Sequence, residues 1–148
     1  MPPSIPKWLD TREIKTKLFK FVLLFQGLYY SITGLWAIVA LNNFYSFTRG
    51  SYEEITPDHK FVIFANAAFF VAIGIFLLLG GIRKGWMNPA IFVALAVAIA
   101  VMVAELIYLP QIGNPVLFWL DFVEEAAVAS VLGFLIVLSK YNKSTKGG

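Results

Sequence analysis

The sequence predicts an all-α integral membrane protein, an up-and-down bundle of four helices with both termini in the cytoplasm. Three observations carry that expectation. Apolar residues make up 59% of the 148-residue chain and charged ones only 14%, with a mean hydropathy of +0.74. Soluble domains carry about 25% charged residues, so this chain has too little polar surface to cover a globule in water. Long apolar runs then recur four times, at 18–41, 61–82, 86–109 and 115–139. Each suffices to cross about 30 Å of hydrocarbon at roughly 1.5 Å per residue. Finally, ten of the twelve basic residues fall before or at the start of the first run, between the second and third, or after the fourth. Arg49 and Lys60 alone fall on the other side, beside Glu53, Glu54 and Asp58. Cytoplasmic loops hold the excess of Lys and Arg, which places the protein in the cytoplasmic (inner) membrane as a multi-pass chain.

Taken in order, "MPPSIPK" at the start is proline-rich and irregular. Asp10 followed by Glu13 has the spacing of a capping box, so a helix is expected from near Thr11. Trp8, Leu9, Ile14 and Leu18 alternate with basic residues, which suits either an interfacial segment or an extension of the first span. No cleavable signal peptide is expected, since the first apolar run is too long for one. The connection "NNFYSFTRGSYEEITPDHK" is aromatic enough to fold back on the mouth of the bundle or to form an interfacial belt. Thr56 or Asp58 is positioned to cap the second helix, with Pro57 in its first turn. "GGIRKGW" and "PQIGNP" read as tight joints, the latter with Asn114 as N-cap and Pro115 as first helical residue. Short joints put successive helices side by side and antiparallel, giving a single domain over 1–148.

Small residues recur at the spacing that lets membrane helices approach closely. They are Gly27, Ser31 and Gly34 on the first helix, Ala68 and Ala72 on the second, Ala90, Ala94 and Ala98 on the third, and Ala126, Ser130 and Gly133 on the fourth. Ordinary packing within one bundle and a homo-oligomer face both account for them.

Four acids interrupt the apolar runs: Glu105 on the third helix, and Asp121, Glu124 and Glu125 on the fourth. At about 1.5 Å per residue, Asp121 lies roughly 9 Å below the start of its helix and Glu125 roughly 15 Å below it. Glu105 sits near the same end of the third helix, so all four fall in the outer half of the bilayer, as do Asn66 and Thr33. Asp121 and Glu125 share a helix face, as do Glu105 and Tyr108, and Gln26, Tyr30 and Thr33. Turned inward, these faces would form an outward-open polar pocket framed by Tyr29, Trp36 and Trp119. A central Asp in a span costs about 2.5–3.5 kcal/mol, tolerable when it is protonated, hydrogen-bonded, wet or paired with a cation. Beyond Lys20 at the cytoplasmic end, the four runs hold no Lys, Arg or His, although Arg49, His59 and Lys60 could bend inward.

Four readings of the acids follow: a satisfied structural network with Glu124 turned outward, a pocket for a small molecule, a path for protons or cations, or catalysis. The expected ligand-binding set is Glu105, Asp121, Glu125, Tyr30, Gln26, Asn66 and Tyr108. No catalytic residue, metal site or cofactor is expected. The chain has no cysteine and its one histidine stands alone, and no phosphate-binding glycine motif, calcium loop or nucleophile elbow occurs. Basic ends of such a chain meet anionic lipid rather than nucleic acid.

"FQGLYYSITGLW" (25–36), "FYSFTRG" (44–50) and "PVLFWLDFVEEA" (115–126) resemble an uncharacterised family of small bacterial four-helix membrane proteins, broadly similar to DoxX-like proteins. The resemblance covers most of the chain and matches Gln26, Tyr29, Tyr30, Thr33, Gly34, Trp36, Asp121 and Glu124. "TRG" stands where that pattern has TG followed by Pro-Lys. The resemblance implies the architecture and supplies no reaction. The leading expectation is therefore a non-enzymatic membrane protein whose acidic, aromatic pocket binds a small amphiphile, or supports docking as an accessory subunit of a membrane complex. The rival is a small proton- or cation-coupled transporter acting as an oligomer.

Overall fold

The computed structural model describes residues 11–49, 55–108 and 115–144, and among them every regular element is helical. Helix α1 runs over Thr11–Val39, α2 over Leu41–Arg49, α3 over Pro57–Ile82, α4 over Met87–Tyr108 and α5 over Pro115–Ser144. A 3-10 turn at Lys84–Trp86 joins α3 to α4. Three of these helices, α1, α3 and α4, are long and apolar enough to cross a membrane. Helix α5 matches them in length at 30 residues but carries Asp121, Glu124 and Glu125 in its first half.

The first helix starts about two turns earlier than its apolar run, because the charged segment ahead of the run continues the same helix. Glu13 and Lys17 pair across one turn at 2.7 Å on its exposed surface, which adds a few tenths of a kcal/mol to a helix. Asp10, Trp8 and Leu9 lie outside the described residues. The connection after α1 differs from an irregular loop. After a bend at Ala40 the chain forms the short helix α2, whose half-buried Leu41, Phe44, Tyr45 and Thr48 recur at helical spacing, with Asn42 and Asn43 exposed. Phe44 and Phe47 meet Trp36 of α1 at ring separations of 5.4 and 5.2 Å, so α2 folds back onto the end of α1.

Thr56 caps α3, its side chain accepting from the backbone N–H of His59 at 3.4 Å, and Pro57 takes the first helical position. At the other end the Arg83 N–H donates to the Leu79 carbonyl at 2.7 Å. Trp86 sets its ring edge against Phe76 at 5.6 Å and fastens the turn to α3. Asn114 lies outside the described residues, and α5 begins with Pro115.

Helices α1 and α3 make the closest contact. A Cβ placed on Gly27 would lie 2.8 Å from the Gly74 carbonyl oxygen, and one on Gly34 would lie 2.6 Å from the Ala67 carbonyl oxygen. These glycines let two backbones touch, the geometry small-residue stripes permit in membrane helices. Ser31, between them, bonds the Gly27 carbonyl at 2.8 Å and fills the place a Gly74 side chain would occupy. The α3 side of this contact is formed by Ala67 and Gly74, whereas Ala68 and Ala72 face outward. That corrects the expected stripe on Ala68 and Ala72. Ala90, Ala94 and Ala98 of α4 are fully buried as expected. On α5, Ser130 is exposed and a Cβ on Gly133 would meet nothing within 4 Å, so neither makes a close helix contact among the described residues. One core joins Leu23 and Tyr30 of α1, Ile73 and Leu77 of α3, Ala94 and Ala98 of α4, and Val128 and Leu132 of α5.

Candidate functional site

Gln26 and Tyr30 stand one turn apart on the inner face of α1, 0% and 2% exposed. Positions four apart on a helix face the same way, and here both meet Glu125 of α5, which is 0% exposed. The Gln26 amide uses both of its protons. Its Nε2 donates to the Tyr30 hydroxyl at 3.0 Å and to Glu125 Oε2 at 3.1 Å. Tyr30 in turn donates to Glu125 Oε1. The Tyr30 ring rests 5.2 Å from Phe70 of α3, which holds the hydroxyl in place. One residue earlier, Tyr29 reaches the next acid up and donates to Asp121 Oδ1 at 2.5 Å. The tyrosine pair of α1 thus grips two carboxylates on one face of α5.

Glu105 enters from α4. It is 6% exposed, and its carboxyl approaches that of Asp121 and lies within electrostatic range of Glu124 and Glu125. The Glu105 and Asp121 carboxyls are within hydrogen-bond reach of each other, so a single proton held between them lets one donate to the other. Both Glu124 oxygens are buried without a partner, as is Gln26 Oε1. Four acids from two helices therefore share one interior region, and the expectation that Glu124 turns outward is corrected. Glu124 stands three residues from Asp121 and one from Glu125, so all three lie within about 100° of arc at ~3.6 residues per turn. That spacing is the signal that places it with the other two.

Two members of the expected set lie apart. Asn66 is exposed on α3, because Ala67, one residue on, takes the contact with Gly34. The Tyr108 side chain lies outside the described residues. Of the expected framing aromatics only Tyr29 joins the acids. Trp36 serves α2, and Trp119 is half exposed against Phe122, ring centres 5.6 Å apart. His59 and Lys60 are exposed and do not bend inward.

Charge and hydrogen-bond supply are thus mismatched. Burying an ionised carboxylate costs several kcal/mol unless paired, and Glu124 has no donor among the described residues. Each unpartnered buried oxygen among the described residues is an acceptor, while the Tyr29, Tyr30 and Gln26 protons are already spent. No three of the described carboxylates converge closely enough to hold a metal ion. The site can accept hydrogen bonds and positive charge, and has little to offer an anion. No family model, curated protein or solved structure matches this chain.

Proposed function

We propose that the chain is a small multi-pass membrane protein in which α5 forms a fourth span, with both termini cytoplasmic. In this reading the acids between α1, α4 and α5 form an outward-facing site that holds the polar end of a small amphiphile, and the protein is not an enzyme. The observation that carries it is the meeting of Glu105, 6% exposed, with Asp121, Glu124 and Glu125 in one interior region. Buried polar groups in folded proteins are overwhelmingly hydrogen-bonded, so the unpartnered Glu124 carboxyl beside three other acids supports a place kept for something else. Ionisable groups inside a span are expensive and are retained for function. A chain of only 148 residues with one core also suits an accessory subunit.

Native mass spectrometry of gently solubilised protein tests this reading. The expected result is a bound small amphiphile that disappears on Glu105→Gln while helical content is unchanged. A bare monomer, with no retained molecule and no partner, counts against it. The rival transport reading draws on the absence of a basic side chain among the described residues facing these acids, which leaves protons or external cations to balance them. It requires pH-driven flux in liposomes that Glu105→Gln abolishes, and no flux under any imposed gradient removes it.

A further inference from the structure

Resting on the reading of α3 as a membrane span, we propose that the exposed face of α3 around Asn66 is where a second copy of this chain docks, the two Asn66 amides bonding each other across a two-fold axis. Asn66 is exposed, and the contact of α3 with α1 is made instead through Ala67 and Gly74. It stands six residues past Lys60, the last charged residue before the apolar run. At ~1.5 Å per residue that is about 9 Å along the helix into the run. Its side chain forms no hydrogen bond among the described residues. The other amides on the three apolar helices are placed differently. Gln26 is buried against Tyr30 and Glu125, and Asn88 sits in the first turn of α4.

An amide turned to hydrocarbon has nothing to bond, and leaving its donors and acceptor without partners is costly. Lys and Arg relieve such a cost by reaching back to the interface along their stems, but the Asn side chain is too short for that. Ser31 relieves it by bonding the Gly27 carbonyl one turn back, and Asn66 does not.

The neighbours of Asn66 supply the shape. Val62 and Phe69 stand seven residues apart and are 53% and 64% exposed. Ala65 and Ala72 stand seven apart and are exposed as well. Large and small side chains thus repeat every seven residues along one stripe that includes Asn66. At that period two helices interlock, large residues of one entering the spaces over small residues of the other.

The complement of this stripe is the stripe itself. Two copies of one chain insert the same way round, so a two-fold axis normal to the membrane sets α3 beside α3 in parallel, with like residues at like depth. An amide carries both donors and an acceptor, so each Asn66 donates to the other and accepts from it. Repulsion between like charges does not arise, because residues 61–82 hold no Asp, Glu, Lys or Arg.

Sedimentation equilibrium of the full chain in density-matched detergent tests the proposal. The parent protein is expected to be dimeric, with its dissociation constant raised at least about tenfold in both Asn66→Leu and Asn66→Ala. Agreement of the two variants excludes a steric effect of the leucine. In membranes of the producing cell, Asn66→Cys forms a disulfide-linked dimer on mild oxidation, in a chain with no other cysteine. Ile75→Cys, 51% exposed and nine residues on, lies on the opposite side of the helix and forms none. A monomeric parent protein overturns the proposal. So does a dimer that both Asn66 variants leave intact, or a link at Ile75→Cys and not at Asn66→Cys. Linking of Asn66→Cys to a different protein gives the face to another partner and overturns the second copy. Alkaline extraction tells the two failures apart: release of the chain from the membrane removes the span itself, whereas a retained monomer removes the dimer alone.

Discussion

Tyr30 and Glu125 are separated by 95 residues in sequence and joined by a hydroxyl–carboxylate hydrogen bond at the centre of the protein, each no more than 2% exposed. This bond, with those from Gln26 to Glu125 and from Tyr29 to Asp121, ties α5 to α1. Tyr30→Phe keeps the ring against Phe70 and deletes only the hydroxyl, leaving Glu125 with one donor. Losing a partner of a buried charged group costs about 1.5–3 kcal/mol. Glu125→Gln alone weakens the same bond, and the double variant loses less than the sum because the two share one interaction. Thermal unfolding in mild detergent reads all three. Strict additivity would show that the pair is not coupled.

The α1–α3 contact gives a prediction of packing alone. Gly34→Ala forces a methyl group toward the Ala67 carbonyl, 2.6 Å from where the Cβ must go. Helix backbones held that closely cannot part locally, and overpacking of this kind costs about 1–3 kcal/mol. Gly133→Ala, where a Cβ meets nothing within 4 Å, should be neutral or slightly stabilising, since Ala outranks Gly in a helix by about 1 kcal/mol. Melting temperatures of the two variants should therefore move apart, and equal shifts would place the helices differently.

These two glycines also show what sequence can and cannot fix. On α1 the inner face was legible, because Gly27, Ser31 and Gly34 lie beside Gln26 and Tyr30 and a polar residue in an apolar run marks the side that faces protein. Helix α3 is apolar on every face, so nothing in its pattern distinguishes Ala67 from Ala68. Asn66, its one polar interior residue, pointed to the wrong side. The acids on α5 were legible as a group through their spacing. Their partners depended on which helix packs against which, and no local pattern states that Tyr29 meets Asp121 while Tyr30 meets Glu125. Helix α2 escaped because a nine-residue amphipathic helix and an aromatic loop have the same composition.

The proposed orientation rests on charge and can be checked directly, since the chain has no cysteine. Gly85 sits in the α3–α4 turn with open space around it, and Asn42 is exposed at the start of α2. If the positive-rich side is cytoplasmic, Asn42→Cys in whole cells reacts with a membrane-impermeant maleimide. Gly85→Cys reacts only after the membrane is broken. The reverse pattern inverts the topology, and labelling of both from one side rules out a membrane between them.

Glu105 separates a structural network from a functional site. If the acid were there for stability, replacing it would cost stability. Instead it is buried among three other acids, with Asp121 as its hydrogen-bond partner, so Glu105→Leu removes a desolvation cost and a source of repulsion. Replacing buried unsatisfied or ionic groups by apolar ones of similar volume is often stabilising by about 1–4 kcal/mol, and residues held at functional sites against stability behave this way. Glu105→Leu should therefore melt higher than the parent protein while losing retention of the proposed amphiphile. A lower melting temperature would mean that Glu105 holds the helices together, and the site would then be a structural one.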